Sequence, residues 1–276
     1  MKFWFVLTSF VLFCAGAFAQ VQVFPTYLAL SEEKISGHLN LRNTSNESQT
    51  FKVEYVFYKM NKDGTFVREA TPTDGLIDIL KFSPKKVTLA PGGKQVVRVM
   101  LTDLESLPVG DKYIHLRFVP DTPEEASSDS KSKKKSSFSL QAKISVAVPV
   151  VVRKGKGPFA GTMTADKATR NKNGDVDLSL SFKNANQFYL HGDLEIFAVN
   201  GDKEISLDKI VGVSSYIPER MFNKTYKVAD MQQALSGEAL TKLKVVFKSN
   251  PDSGAEFNQV SVVEVSEAKK AVSKRR

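Results

Sequence analysis

The chain has 276 residues, a net charge of +9, one cysteine and three histidines. With Cys14 alone and His38, His115 and His191 far apart, a disulfide framework is excluded and the Cys/His spacing of a zinc site is absent. The positive charge gathers at Lys131–Lys135 and Lys269–Arg276, where no aromatic residues interleave, so the pattern of a nucleic-acid groove is missing.

Taken in chain order, Lys2 precedes an apolar run from Phe3 to Phe13, and Ala17-Phe18-Ala19 stands ahead of Gln20. This has the form of a removable export signal, and the run is shorter than the roughly 20 residues of a spanning helix. Residues 1–19 are therefore read as a signal peptide and the protein as periplasmic, without stable membrane insertion. The bulky Phe13 before Cys14 fits a lipid-anchoring signal badly. The remaining chain suits two domains of roughly 100–150 residues each.

Strand signals dominate the rest of the chain. Phe51, Val53, Tyr55 and Phe57 fall on one face, the period-two pattern of a half-buried strand. Asn61-Lys62-Asp63-Gly64 then reads as a hairpin turn with Gly64 at positive φ. Val97, Val99 and Leu101 alternate, as do Ile114, Leu116 and Phe118. The segment from Asp121 to Ser137 is rich in Ser, Lys and Glu and offers no core residues. A long alternating strand is expected from Phe138 to Val148, with Pro149 at an edge because it lacks an amide proton.

Arg153 to Pro158, with Gly155 and Gly157, interrupts the pattern and is read as a linker. The second domain opens with Val176, Leu178, Leu180 and Phe182. Leu194 and Ile196 follow, then Leu243, Val245 and Phe247, then Val260 and Val262. Asn173-Gly174 and Asn200-Gly201 mark turns, and a short helical turn is expected around Asp230 to Leu235. Many short strands with regular turns imply a second sandwich or barrel. The division is 20–152 for the first domain, 153–158 for the linker, 159–265 for the second domain and 266–276 for a basic tail.

Catalytic chemistry finds no support. There is no H-E-x-x-H spacing, no G-x-S-x-G elbow and no phosphate-binding glycine loop. Asp175 and Asp177 lack the oxygen ligands of a calcium loop and read as turn and strand-face carboxylates. The histidines read as ordinary strand residues. No enzyme activity, cofactor or metal is expected.

Several short signals then occur in one order. They are Leu39-Asn-Leu-Arg-Asn43, Phe82-Ser-Pro84, Val87-Thr-Leu-Ala-Pro-Gly92, Gln95-Val-Val-Arg98, Leu107-Pro108, Tyr113, Phe118-Val-Pro120, and Leu140-Gln-Ala-Lys-Ile144 leading to Pro149-Val150. Over about residues 21–152 the chain resembles the periplasmic chaperones of pilus assembly. In the second domain the resemblance rests on Phe182-Lys-Asn184 and Leu190-His-Gly192. It implies an all-β protein of two immunoglobulin-like sandwiches in tandem, set at an angle with a cleft between them. It also implies binding of pilin-like subunits by β-strand donation through Phe138, Leu140, Ala142 and Ile144, with an outer-membrane usher as a second partner.

The family anchors the subunit's terminal carboxylate with an arginine on the first strand and a lysine on the last. Those positions fall here at Tyr27 and Ser145, with Lys143 and Arg117 as the nearest cations. The alternative is a structural or adhesion-type envelope protein that keeps the chaperone scaffold without the carboxylate-anchoring residues.

Overall fold

The computed structural model describes residues 21–70, 72, 75–121, 144–157, 159–236, 240–250 and 256–267. The expected signal peptide, the Lys131–Lys135 run and the basic tail from Lys269 lie outside the described residues, as do Phe138, Leu140, Ala142 and Lys143.

The opening strand is split between two sheets. β1 (Val21–Phe24) and β2 (Leu28–Ser31) are separated by Pro25–Tyr27 and join different partners. One sheet runs β1, β3 (Ser36–Asn43), β8 (Lys94–Leu101) and β6 (Leu80–Ser83). The other runs β2, β10 (Val146–Lys154), β9 (Gly110–Pro120) and β4 (Gln49–Met60), and both β5 (Phe66–Glu69) and β7 (Lys86–Leu89) pair with β4. Leu39, Leu41, Val97 and Val99 of the first sheet meet Phe51, Leu116, Phe118 and Val150 of the second in one buried core. Each such side chain contributes roughly 1.5–3 kcal/mol when fully buried.

Asn43 is fully buried and fastens the β3–β4 corner to the end of β7. Its Nδ2 donates to the Glu47 carbonyl at 2.7 Å and the Leu89 carbonyl at 3.0 Å, while Oδ1 accepts from Ser45 N at 2.9 Å. The buried amide is thereby satisfied on both sides.

The second domain is one seven-stranded sheet folded over its own core. Its order is β14 (Lys203–Ser215), β13 (Leu190–Asn200), β16 (Lys242–Ser249), β17 (Asn258–Glu267), β11 (Gly161–Arg170), β12 (Val176–Asn184) and β15 (Glu219–Tyr226). Leu178, Leu180 and Phe182 face Leu194, Ile196, Val245 and Phe247, and the Phe182 and Phe247 rings meet edge-on at 5.6 Å. Both domains are thus β-sandwiches of immunoglobulin-like type. The only other regular elements among the described residues are short: a four-residue helix, α1 (Leu76–Ile79), a 3-10 turn (Leu104–Ser106) and an eight-residue helix, α2 (Val228–Leu235).

Several elements differ from the sequence reading. β10 begins at Val146, so Ile144 and Ser145 precede the strand. It continues through Arg153 and Lys154, which are strand residues rather than linker. Val260 and Val262 face outward, each 55% exposed, and Val263 and Val265 pack against the core instead. Asp175 is buried and accepts from Val228 N at 3.0 Å and Lys227 Nζ at 3.1 Å, so this turn carboxylate fixes the start of α2.

Candidate functional site: a cleft between the domains

Among the described residues, three groups of contacts stand out at the junction of the two sandwiches. In the first, Asp111 and Arg153 stand opposite each other on β9 and β10. Arg153 Nε donates to Asp111 Oδ1 at 2.7 Å and Nη2 to Oδ2 at 2.6 Å, with side chains 0% (Asp111) and 8% (Arg153) exposed. The pair also reaches the second domain. Tyr189 N donates to Asp111 Oδ2 at 2.6 Å, Arg153 Nη2 donates to the Tyr189 carbonyl at 3.3 Å, and Arg153 lies over the Phe188 ring at 4.9 Å. Burial raises the Asp111 pKa, and the bonds from Arg153 and Tyr189 pull it back. The net shift stays upward, so the carboxylate depends on Arg153 and Tyr189, in place of water, for the stabilisation of its charged form.

The second contact is aromatic. Met60, Tyr113, Val151 and Tyr216 form a small buried cluster with Tyr27, Phe57, Tyr189 and Ile217 at its border. Tyr113 stacks on Tyr216 at 4.5 Å across the junction, and Tyr27 stacks on His191 at 3.8 Å with the rings 4° from parallel.

The third contact is the tip of the β4–β5 hairpin. Met221 N donates to the Lys62 carbonyl at 2.5 Å, and Lys62 Nζ pairs with Glu219 at 2.8 Å. The tip is the expected turn: Gly64 has φ +81° and its N–H donates to the Asn61 carbonyl at 2.9 Å. A Cβ at Gly64 would also lie 2.7 Å from the guanidinium of Arg220. Gly64→Ala should therefore cost roughly 1–2 kcal/mol through left-handed backbone strain alone, and it displaces Arg220 as well. A lowered urea midpoint at unchanged slope checks this.

Beside the aromatic contact and the hairpin lies a cavity of about 460 Å³. Its walls include Tyr27, Tyr58, Phe66 and His115 from the first domain and Tyr216 and Arg220 from the second. Two buried nitrogens there find no partner: His115 Nδ1 and Arg220 Nε. Arg220 Nη1 donates to the Ser214 carbonyl. Burial lowers the Arg220 pKa, and it brings the pKa values of His115 and His191 down to about 4. At neutral pH the cavity is therefore lined by two neutral imidazoles and one guanidinium, whose Nε, packed beside Gly64, has no acceptor. That set suits an anionic group with oxygen acceptors, since an unpaired buried donor costs free energy until it is met.

The sequence-derived positions divide. Tyr27 is half-buried and lines the cavity, and burial raises its pKa. Ser145 is exposed and Ile144 half-buried, and neither lines it. Lys143 lies outside the described residues. Arg117 is not a cleft cation, because its Nε donates to Glu54 Oε1 at 2.8 Å away from the cavity. The reading of His115 and His191 as ordinary strand residues misses their place in the junction. Arg220 carries no local signal, because Tyr216-Ile-Pro-Glu-Arg220 looks like any hairpin corner; only the docked Gly64 turn brings it to the cleft.

Among the described residues, no helix is long and apolar enough to cross a membrane. No protein-family model matches the chain, and no curated protein does. Solved structures similar to it include chaperones of pilus assembly. One is a chain of the CsuC–CsuE chaperone–tip adhesion subunit complex from the archaic chaperone-usher Csu pili of Acinetobacter baumannii, at 14% identity and a TM-score of 0.45, covering 91% of this chain and 100% of that one. A chain of the Salmonella enterica SafA pilin–SafB chaperone complex aligns at 13% identity and a TM-score of 0.45, covering 91% and 98%. The Pseudomonas aeruginosa CupB2 chaperone aligns at 12% identity and a TM-score of 0.45, covering 87% and 98%.

Proposed function

We propose that the protein is a periplasmic chaperone that holds pilin-like subunits by strand addition along β10 and seats the end of the added strand in the interdomain cavity. One observation carries this reading. β2 pairs with β10 only over Val150–Arg153, whereas β9 pairs with it from Val146. Among the described residues, the outer edge of Val146–Pro149 has no strand beside it, and Ala147 and Pro149 open onto the cavity. An exposed edge of this kind is a template for a further strand.

The subunit-binding residues are then Phe138, Leu140, Ala142 and Ile144, which precede that edge in the chain. The terminal carboxylate of the added strand accepts from the Arg220 guanidinium, with Tyr27 and His115 beside it. The anchoring cation thus comes from the second domain, in place of the first-domain pair that Tyr27 and Ser145 do not provide.

The test is refolding of a purified pilin-like subunit in the presence of the chain, followed by size-exclusion chromatography. A one-to-one complex is expected. It should be lost on replacing Leu140 and Ile144 with serine in a protein whose circular dichroism is unchanged. Arg220→Met should weaken it by about tenfold or more, the worth of a hydrogen bond to a charged group. A complex that forms equally well with the double serine variant would rule out strand addition.

A further inference from the structure

The outer face of the β1-β3-β8-β6 sheet is charged with one sign only. None of its four strands contains an aspartate or glutamate. Outward positions carry Arg42 on β3, Lys94 and Arg98 on β8, and Lys81 on β6, all exposed. No ion pair to any of these four is present among the described residues. On other faces many cations are matched: Lys52 and Lys86 by Asp121, Arg117 by Glu54, Lys209 and Lys248 by Glu195, and Lys244 by Glu204.

The register makes the arrangement more costly still. Arg42 stands directly opposite Lys94, so two full positive charges face each other there, and Arg98 stands opposite the His38 ring. Like charges facing each other across an antiparallel pair are destabilising. Between these two rows lies Val96, 39% exposed, with Met100 beyond at 48%. Two grooves of about 510 Å³ and 480 Å³ flank the β8 ridge, one toward β6 and one toward β3, and both are lined by Val96, Arg98 and Met100.

We infer that this face docks an extended acidic segment of a partner polypeptide. Lys94 and Arg98 are four residues apart on a strand, about 13 Å at roughly 3.3 Å per residue. An extended segment with carboxylates at its first and fifth positions and an apolar residue at its third matches cation, valine and cation in turn. Grooves running along the strand suit side chains of such a segment better than the plane of a lipid headgroup layer. The face lies on the sheet that does not contain β10, so this docking is independent of strand addition.

The probe is a fluorescein-labelled peptide with glutamate, valine and glutamate at alternate positions, titrated with the full chain and followed by anisotropy. Saturable binding is expected, weakening with added salt as exposed charges are screened. The double variant Lys94→Ser/Arg98→Ser should bind about five- to tenfold more weakly at low salt, as expected for two surface charge contacts. Its melting midpoint should be equal or higher, because Lys94 no longer faces Arg42. Serine replacement of the tail cations Lys269 and Lys270 should change nothing. Unchanged affinity in the double variant, an equal loss in the tail variant, or binding to phosphatidylglycerol vesicles with none to the peptide would each overturn the assignment.

Discussion

Asp111→Ala is expected to destabilise the protein by about 3–5 kcal/mol, the cost of leaving one partner of a buried ion pair alone. Arg153 is only 8% exposed as a side chain. Without the carboxylate its guanidinium keeps one charged donor on the Tyr189 carbonyl and loses the two bonds to Asp111. The same change frees Tyr189 N, which donates to Asp111 Oδ2. The damage therefore falls on the domain junction as well as on the β9–β10 pair. Urea unfolding followed by both far-UV circular dichroism and tyrosine fluorescence should give a lower midpoint. The two signals should separate as the domains lose their coupling.

The double variant Asp111→Leu/Arg153→Met is the informative control. It removes both charges together and should recover most of the loss, because a buried pair replaced by apolar residues of similar size is often neutral or better. A single variant that costs less than about 1 kcal/mol would mean that the pair is effectively solvated.

The second large effect is expected on acidification. The pKa values of His115 and His191 are brought from 6.5 to about 4 by burial. The unfolded chain then binds more protons than the folded one between those values, so stability rises with pH across that window. The contribution is complete above pH 6.5 and is lost as pH falls toward 4. A tenfold change in proton affinity is worth about 1.4 kcal/mol, so the loss approaches roughly 3 kcal/mol per histidine. Tyr58, Phe66 and Tyr113 surround His115, and none is a carboxylate that would rescue its charge. His191 faces Tyr27 and Ser214, with Asp193 only partly offsetting its burial. Below this window a separate loss begins at carboxylates whose pKa values are lowered by their lysine partners, among them Asp121 and Glu195. The variant His115→Phe/His191→Phe should flatten the unfolding free energy between pH 6.5 and pH 4 while leaving the lower loss in place. An unchanged slope in that variant would show that the two rings do not govern it.

Both effects arise at the junction, where the sequence is least informative. Alternation is a local property, and where one face meets a core and the other meets water it reads directly. Val97, Val99 and Leu101 on β8 and Leu178, Leu180 and Phe182 on β12 are buried as their spacing requires. The turns at Gly64, Gly174 and Gly201 are equally local, each with φ between +57° and +81°, because only glycine adopts that conformation freely.

The pattern fails where a strand is covered on both faces or carries apolar residues on both. On β4 the buried positions pass from Phe51 and Val53 to Val56 and Met60, and Met60 at the strand's end packs with Tyr216 of the second domain. On β9, Tyr113, Ile114, His115 and Leu116 are all buried: Ile114 and Leu116 in the core, Tyr113 against Tyr216 of the second domain and His115 against Tyr58 and Phe66. On β17 valines stand at both parities, and a shift of one residue exchanges the two faces, so Val263 rather than Val262 turning inward is decided by pairing with β16. The composition and period of this chain determined two sandwiches and most of their inward faces. The docking of one sandwich on the other decided the cleft, because Arg220, His115 and Tyr27 become neighbours only when a hairpin of one domain rests on a strand of the next.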